Sequence, residues 1–359
     1  MERKLNFSAG PSQMPLEVLK EMQDEFLCYK ESGCSVLEMS HRAKDFEEII
    51  FGARDTLRRI MEIPEDYEIL FMQGGATTQF SMVPMNLAKQ GDTFTYVNTG
   101  QFAGKAKDEG ARWGNAVVTA SSKDKTFSYI PDEITVAPGS KFIHITGNNT
   151  IYGTSYNSLF DHGDTPLVAD WSSAILGKWI DVKDYDLIYA GAQKNMGPSG
   201  LAVVIIKKNL LELEVDPVVP VMMRYKVAAD NDSMYNTPPT YSIYAAGKMF
   251  SWVEKMGGVR ALEEINKEKA EMLYDFIDNS ALFTNPVRVK DRSIMNVTFT
   301  LPDEALTKAF LDECKMKGII NIKGHRSVGG MRASIYNGMP KEGVKTLLDT
   351  MKEFEKNNR

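Results

Sequence analysis

Lys194 is the residue of this sequence best placed for covalent chemistry. It follows the apolar run Asp186-Leu-Ile-Tyr-Ala-Gly-Ala-Gln193, lies on a turn of small residues with Pro198 and Gly200, and gives way at once to the β-branched run Leu201–Ile206. An amine held between two buried strands loses water, which disfavours its charged form and lowers its pKa toward the range where a free amine attacks a carbonyl. Such a lysine can form a Schiff base. A lysine taken at random is more often a solvated loop residue. Here Gly191, Ala192, Gly197 and Gly200 crowd around it, as happens where another body comes close to the backbone. Asp170 ends the apolar run Pro166-Leu-Val-Ala, where an unpaired carboxylate is expensive. It is either a cap for the segment Trp171-Ser-Ser-Ala or, beside a lysine Schiff base, the partner of a protonated pyridine nitrogen that maintains an electron sink. Phe102 offers a face on which such a ring could stack.

Anion-binding types recur at three further places. Gln73-Gly-Gly-Ala-Thr-Thr-Gln-Phe80 opens a helix after a strand. A glycine pair followed by hydroxyl residues there could cradle a phosphate with N–H and Oγ donors, or could be no more than a tight turn. His41-Arg42 stands just before a helix, and the same dipeptide returns as His325-Arg326 in Gly324-His-Arg-Ser-Val-Gly-Gly-Met-Arg332. Each pair taken alone is more commonly a surface ion-pair partner than a ligand.

The elements that must position these residues alternate. Short strands at Tyr67–Met72, Thr93–Val97, Ala116–Thr119, Lys141–Thr146 and Pro166–Asp170 precede the Lys194 region, with helical patterns between several of them. This order predicts an α/β fold with a mostly parallel sheet and helices on both faces. Ligands in such folds bind where the carboxyl ends of the strands meet. Phe102, Asn148-Asn-Thr150, Asp170 and Lys194 each follow a strand, so all can converge on one crevice. Pro15 is expected to start a helix carrying Val18, Leu19, Met22, Phe26 and Leu27. Gly257-Gly258 marks a boundary, giving an N-terminal arm over 1–15, a large domain over 16–258 and a smaller α+β domain over 259–359.

The balance of the whole chain excludes several classes. It has 359 residues, a net charge of −6 and a pI near 5.5, which argues against nucleic acid as a partner. Its three cysteines, Cys28, Cys34 and Cys314, have neither metal-ligand spacing nor a disulfide framework. No apolar stretch is long enough to span a bilayer and the N-terminus lacks a signal-peptide core, so neither a membrane nor a metal is expected and the location read is the cytoplasm.

Taken in order, Asn6-Phe-Ser-Ala-Gly-Pro11, Ser40-His-Arg42, Gln73-Gly-Gly75 with Gln79-Phe80, Ala190-Gly-Ala-Gln-Lys-Asn195, Asn236-Thr-Pro-Pro-Thr240 and Gly324-His-Arg with Gly329-Gly-Met-Arg-Ala-Ser-Ile-Tyr-Asn337 span nearly the whole chain. In these motifs the sequence closely resembles the phosphoserine aminotransferase family, in the class V, fold-type I group of pyridoxal-phosphate enzymes. The resemblance implies that Lys194 forms the Schiff base with pyridoxal 5′-phosphate and then moves a proton between the substrate α-carbon and the cofactor C4′ carbon. It implies that Asp170 pairs with the pyridine nitrogen, Thr150 bonds the phenolic oxygen and Phe102 stacks on the ring. Gln193 and the pair Ala76-Thr77 would reach the cofactor phosphate, joined by Asn236 and Thr237 from a second subunit, which makes a homodimer part of the site. His41, Arg42, His325 and Arg326 would hold the substrate phosphate through charge-assisted hydrogen bonds, and Arg332 its α-carboxylate.

The reaction implied is reversible transfer of the amino group of O-phospho-L-serine to 2-oxoglutarate, giving 3-phosphooxypyruvate and L-glutamate, in L-serine biosynthesis. Phosphohydroxythreonine, of vitamin B6 synthesis, stays open as a further substrate. Two departures stand out: many relatives carry tryptophan where Phe102 stands, and some carry Gly-Arg or Gly-Cys in place of Ala76-Thr77. The alternatives are an alanine- or serine-type transaminase, which would not need both His-Arg pairs, and a cysteine desulfurase, which needs a reactive thiol near the site. From another class comes a nucleotide-binding or structural α/β protein, for which no glycine-rich dinucleotide or phosphate-loop fingerprint is present.

Overall fold

A computed structural model describes residues 3–358. Seven strands, β1 (Tyr67–Gln73), β2 (Thr93–Asn98), β3 (Asn115–Ser121), β4 (Ser140–Thr146), β5 (Leu167–Asp170), β6 (Leu187–Gly191) and β7 (Leu201–Lys207), form one sheet in the order β1-β7-β6-β5-β4-β2-β3. Every pairing is parallel except those of β7, which runs antiparallel to both of its neighbours. The chain turns straight back from β6 into β7 through the Lys194 loop, without a crossover helix, and this reversal is what an antiparallel neighbour allows. Because β4, β5 and β6 are in parallel register, with Thr146 opposite Asp170 and Asp170 opposite Tyr189, their carboxyl ends finish level.

Helices cover both faces. On one, α1 (Leu16–Asp24), α2 (Lys44–Ile60) and α5 (Thr240–Lys255) flank the sheet, and Ile49, Leu57, Ile243 and Phe250 pack with Ile69, Phe71, Ile145 and Val203. On the other lie α3 (Ala76–Leu87) and α4 (Gln101–Trp113), whose Phe80, Val83 and Ala106 pack with Leu70, Met72, Tyr96 and Val204. The alternation of Ile69 and Phe71 with Leu70 and Met72 is the two-residue period of a strand buried on both sides. Helix α1 is shorter than expected, ending at Asp24 and leaving Phe26 and Leu27 outside it, with Leu27 82% exposed. The chain turns away at Glu25, whose carboxylate accepts hydrogen bonds from Tyr244 at 2.6 Å and Lys248 at 2.9 Å on α5.

A second core lies at the C-terminal end. Strands β8 (Asn296–Phe299) and β9 (Met331–Ser334) pair antiparallel, and α7 (Glu304–Met316) and α8 (Lys341–Asn357) pack with them around Phe283, Phe299, Phe310 and Phe354. Helix α6 (Gly258–Asn279) serves both cores: Val259 and Leu262 belong to the first, and Ala270, Leu273 and Ile277 to the second. The arm is tied in as well, since Leu5–Asn6 pairs parallel with Ile319–Ile320 and Phe7 is fully buried in the second core. Among the described residues no helix is long and apolar enough to cross a membrane.

Candidate active site

The level carboxyl ends of β1, β2, β4, β5 and β6 deliver their following residues to one cavity. Its wall includes Ala76, Thr77, Phe102, Thr150, Asp170, Gln193, Lys194, His325 and Arg332. Lys194 Nζ donates to Thr150 Oγ1 at 2.8 Å and stands 5.7 Å from the centre of the Phe102 ring. Burial lowers the pKa of this amine to about 8; the nearby Asp170 carboxylate opposes the shift and the Arg332 guanidinium adds to it. The free base, about a tenth of the amine at pH 7 with this pKa and far more than for a solvated lysine, is what attacks an aldehyde.

Asp170 is 5% exposed. Burial raises its pKa, against the pull of Lys194 and of hydrogen bonds from Ser172, whose backbone N–H donates to Asp170 Oδ1 at 2.9 Å. Ser172 is a wall residue that the sequence reading passed over, although Asp170-Trp-Ser172 has the two-residue spacing of an Asx turn. A carboxylate in this setting gains most from a cationic group brought into the cavity.

The floor nearest β1 is the start of α3. Gly74 takes φ +89° and Gly75 is the extended N-cap residue, so the first-turn N–H groups of Ala76 and Thr77 are left to an incoming anion. Opposite, Arg332 on β9 reaches in from the C-terminal core. Its Nη1 donates to the Thr150 carbonyl at 3.3 Å, while its buried Nε has no partner and burial lowers its pKa. A guanidinium held this way without a carboxylate is a site for one. His325 lies beside it, and burial, then Arg332, Arg326 and Lys105, hold its imidazole below the ordinary pKa. The N-terminal arm covers this edge: Ala9 and Gly10 line the cavity, Ser12 N–H donates to the Gln193 carbonyl at 3.0 Å, and the Ser12 hydroxyl donates to the Lys194 carbonyl. A Cβ on Gly10 would stand 3.3 Å from Gln193 Cγ and 3.5 Å from Lys194 Cγ, so the arm lies directly on the lysine.

The remaining expected residues lie elsewhere on the chain. Asn236 and Thr237 are exposed and do not line the cavity; Gln73 Nε2 donates to Asn236 Oδ1 at 2.9 Å and to the Thr237 carbonyl at 3.1 Å. His41 and Arg42, ahead of α2, and Arg326, beside His325, are also outside the cavity wall, Arg42 and Arg326 being exposed. Cys314 is buried in α7 and Cys28 and Cys34 lie beyond α1, so no thiol stands in the wall.

The sheet order, the lysine after β6 and the aspartate ending β5 define a class of aminotransferase, and the model of the family described as aminotransferase class-V matches residues 4–347. The chain belongs to that family. Within it, the full-length likeness is to phosphoserine aminotransferases: the one from Bacillus cereus is 49% identical over 361 residues, covering both chains entirely. The solved phosphoserine aminotransferase from Bacillus circulans subsp. alkalophilus superposes with a TM-score of 0.97 at 42% identity, covering all of both chains. The one from Trichomonas vaginalis, solved with pyridoxal phosphate bound, gives 0.93 at 36% identity over 98% of this chain and all of that one. The cavity fits that cofactor: an amine with lowered pKa for its aldehyde, a buried carboxylate for its ring nitrogen, the Phe102 ring for its face and a helix N-terminus for its phosphate.

Proposed function

We propose that this chain is a phosphoserine aminotransferase, transferring the amino group of O-phospho-L-serine to 2-oxoglutarate and back, with 3-phosphooxypyruvate and L-glutamate as products, in L-serine biosynthesis. The observation that carries the reading is the meeting, in one cavity, of the Lys194 amine, the buried Asp170 carboxylate and the unpaired Arg332 guanidinium. When bound, pyridoxal phosphate supplies an aldehyde carbon and a ring that takes up the electron pair left when the substrate α-proton departs. Lys194 Nζ would hold the group at its aldehyde carbon and, as an amine, would take the proton from the substrate α-carbon and return it. Asp170 keeps a proton on the ring nitrogen. Thr150 bonds the phenolic oxygen, Phe102 stacks on the ring, and Ala76, Thr77 and Gln193 hold the phosphate. Arg332 takes the α-carboxylate and His325 and Arg326 the substrate phosphate.

The site is completed in a homodimer. Asn236 and Thr237 of the partner subunit reach the cofactor phosphate, and His41 and Arg42 of the partner subunit face the substrate phosphate. Their position outside their own cavity wall and the exposure of Asn236, Thr237 and Arg42 support this, as do the exposed apolar residues Tyr235, Val221 and Met222 around Asn236. The separate cores on either side of α6 support the division into the arm 1–15, a large domain 16–258 and a small domain 259–359. Three unpaired cysteines suit a reducing cytoplasm.

The test is amino transfer to 2-oxoglutarate from phosphoserine, serine and alanine, with the absorption spectrum of wild type and Lys194→Ala alongside. Phosphoserine is expected to be preferred by orders of magnitude, and Lys194→Ala to lose both turnover and the protein-bound Schiff-base band while keeping its fold. Equal rates with alanine would point to a transaminase for unphosphorylated substrates.

A further inference from the structure

The loop Gly324–Gly330 closes on itself. Gly324 N–H donates to the Gly330 carbonyl at 2.8 Å, and Val328 and Gly329 both donate to the His325 carbonyl at 2.9 Å. A Cβ on Gly324 would lie 2.0 Å from the Gly329 oxygen, and Gly330 has φ +60° with the Phe299 oxygen 2.6 Å from where its Cβ would be. The base of the loop therefore requires glycine at both ends. Within it, the backbone N–H of Ser327 is directed at His325 Nδ1 at 3.3 Å, and Ser327 Oγ is 2.7 Å from the same nitrogen. A backbone N–H can only donate, so Nδ1 carries the lone pair and the proton of the neutral ring sits on Nε2. The Ser327 hydroxyl then donates to Nδ1 as well.

We propose that Ser327 is a positioning residue that locks His325 in the Nε2–H tautomer, so that the ring meets the substrate phosphate as a neutral donor. The inference rests on the phosphoserine reading above for its substrate, though not for the tautomer. In the opposite tautomer the ring would turn a lone pair toward phosphate oxygens and repel them. Burial and the cationic neighbours hold the imidazole pKa below its ordinary value, which favours the neutral ring, the form in which the tautomer matters.

The holoenzyme labelled with ¹⁵N-histidine gives the answer directly, because the chain has only 4 histidines and long-range ¹H–¹⁵N spectra report which ring nitrogen is protonated. His325 is expected with a bare Nδ1 and a protonated Nε2. In Ser327→Ala only the longer backbone N–H contact remains on Nδ1, so the Nδ1–H tautomer should appear beside the Nε2–H one and KM for phosphoserine should rise about three- to ten-fold, the size of one hydrogen bond, while kcat stays within about two-fold. Ser327→Thr should restore both. A wild-type enzyme that turns over phosphoserine with the Nδ1–H tautomer, or a Ser327→Ala variant with unchanged tautomer and KM, overturns the lock. The expected tautomer in a protein that does not turn over phosphoserine overturns the substrate reading and leaves the lock standing.

Discussion

At the scale of single residues the decisive quantity is the free energy of charge in a dehydrated cavity. Lys194 is protonated below pH 8 and a free base above it, because burial has lowered its pKa to about 8. Protein stripped of cofactor should therefore take up pyridoxal phosphate faster as pH rises from about 7 to about 9, and level off beyond. A solvated lysine, titrating near 10.4, would keep gaining through the whole range. Stopped-flow absorbance at a series of pH values separates the two. Arg332 faces the cavity without a carboxylate of its own, so Arg332→Ala leaves the α-carboxylate of either amino acid unpaired. The cost expected is about 2–5 kcal/mol, read as a fall in kcat/KM of comparable size with phosphoserine and with glutamate. Arg326, by contrast, is exposed, and Arg326→Ala should lose about ten-fold with phosphoserine and little with serine. Equal losses on both substrates would remove Arg326 from the phosphate site.

At the scale of elements, α6 is the member that holds the halves of the chain together. From it Lys269, 1% exposed, donates to the carbonyls of Ile335, Tyr336 and Met339 at 2.9, 3.0 and 3.0 Å. Asn266, one turn earlier, donates to Asn337 Oδ1 at 2.8 Å, and Asn337 N–H donates to Asn195 Oδ1 at 3.0 Å, next to Lys194. The turn after β9 is thus fixed from one side by α6 and fixes the lysine loop from the other. Lys269→Met keeps the length of the side chain and removes the donors from three buried carbonyls. Each orphaned acceptor costs about 1–3 kcal/mol, so a loss of at least about 3 kcal/mol is expected, seen as a lower urea midpoint with an unchanged slope. A midpoint equal to wild type would mean that water replaces the amine.

At the scale of the whole molecule the question is which chain completes which site. If His41 and Arg42 serve the cavity of the partner, then Lys194→Ala and Arg42→Ala chains, each poor alone on phosphoserine, should complement when unfolded together and refolded. Half of the random dimers are mixed, and each mixed dimer holds one site with both residues intact, so about a quarter of wild-type activity should return. No recovery, with mixed dimers shown to form, would place both residues in the same chain's site.

The residues of the cavity were legible in the sequence because each follows an apolar run, and in an α/β chain the carboxyl ends of such runs must come together. Thr150, Asp170 and Lys194 needed no more than that. The sequence by itself also determined the alternation of elements, since this depends on local periodicity, and marked side chains whose chemistry suits anions. Only the tertiary structure decided that β7 runs against its neighbours, that α1 stops at Glu25, that Ser172 donates to Asp170 and that Ser327 donates to His325. It also decided that His325 shares the cavity wall while His41, within an identical dipeptide, does not. The physical reason is range: periodicity, capping and the preference for buried apolar strands act over a few residues along the chain. Register between distant strands, the burial that shifts a pKa, and the partner of a side chain more than a hundred residues away exist only after the backbone has packed.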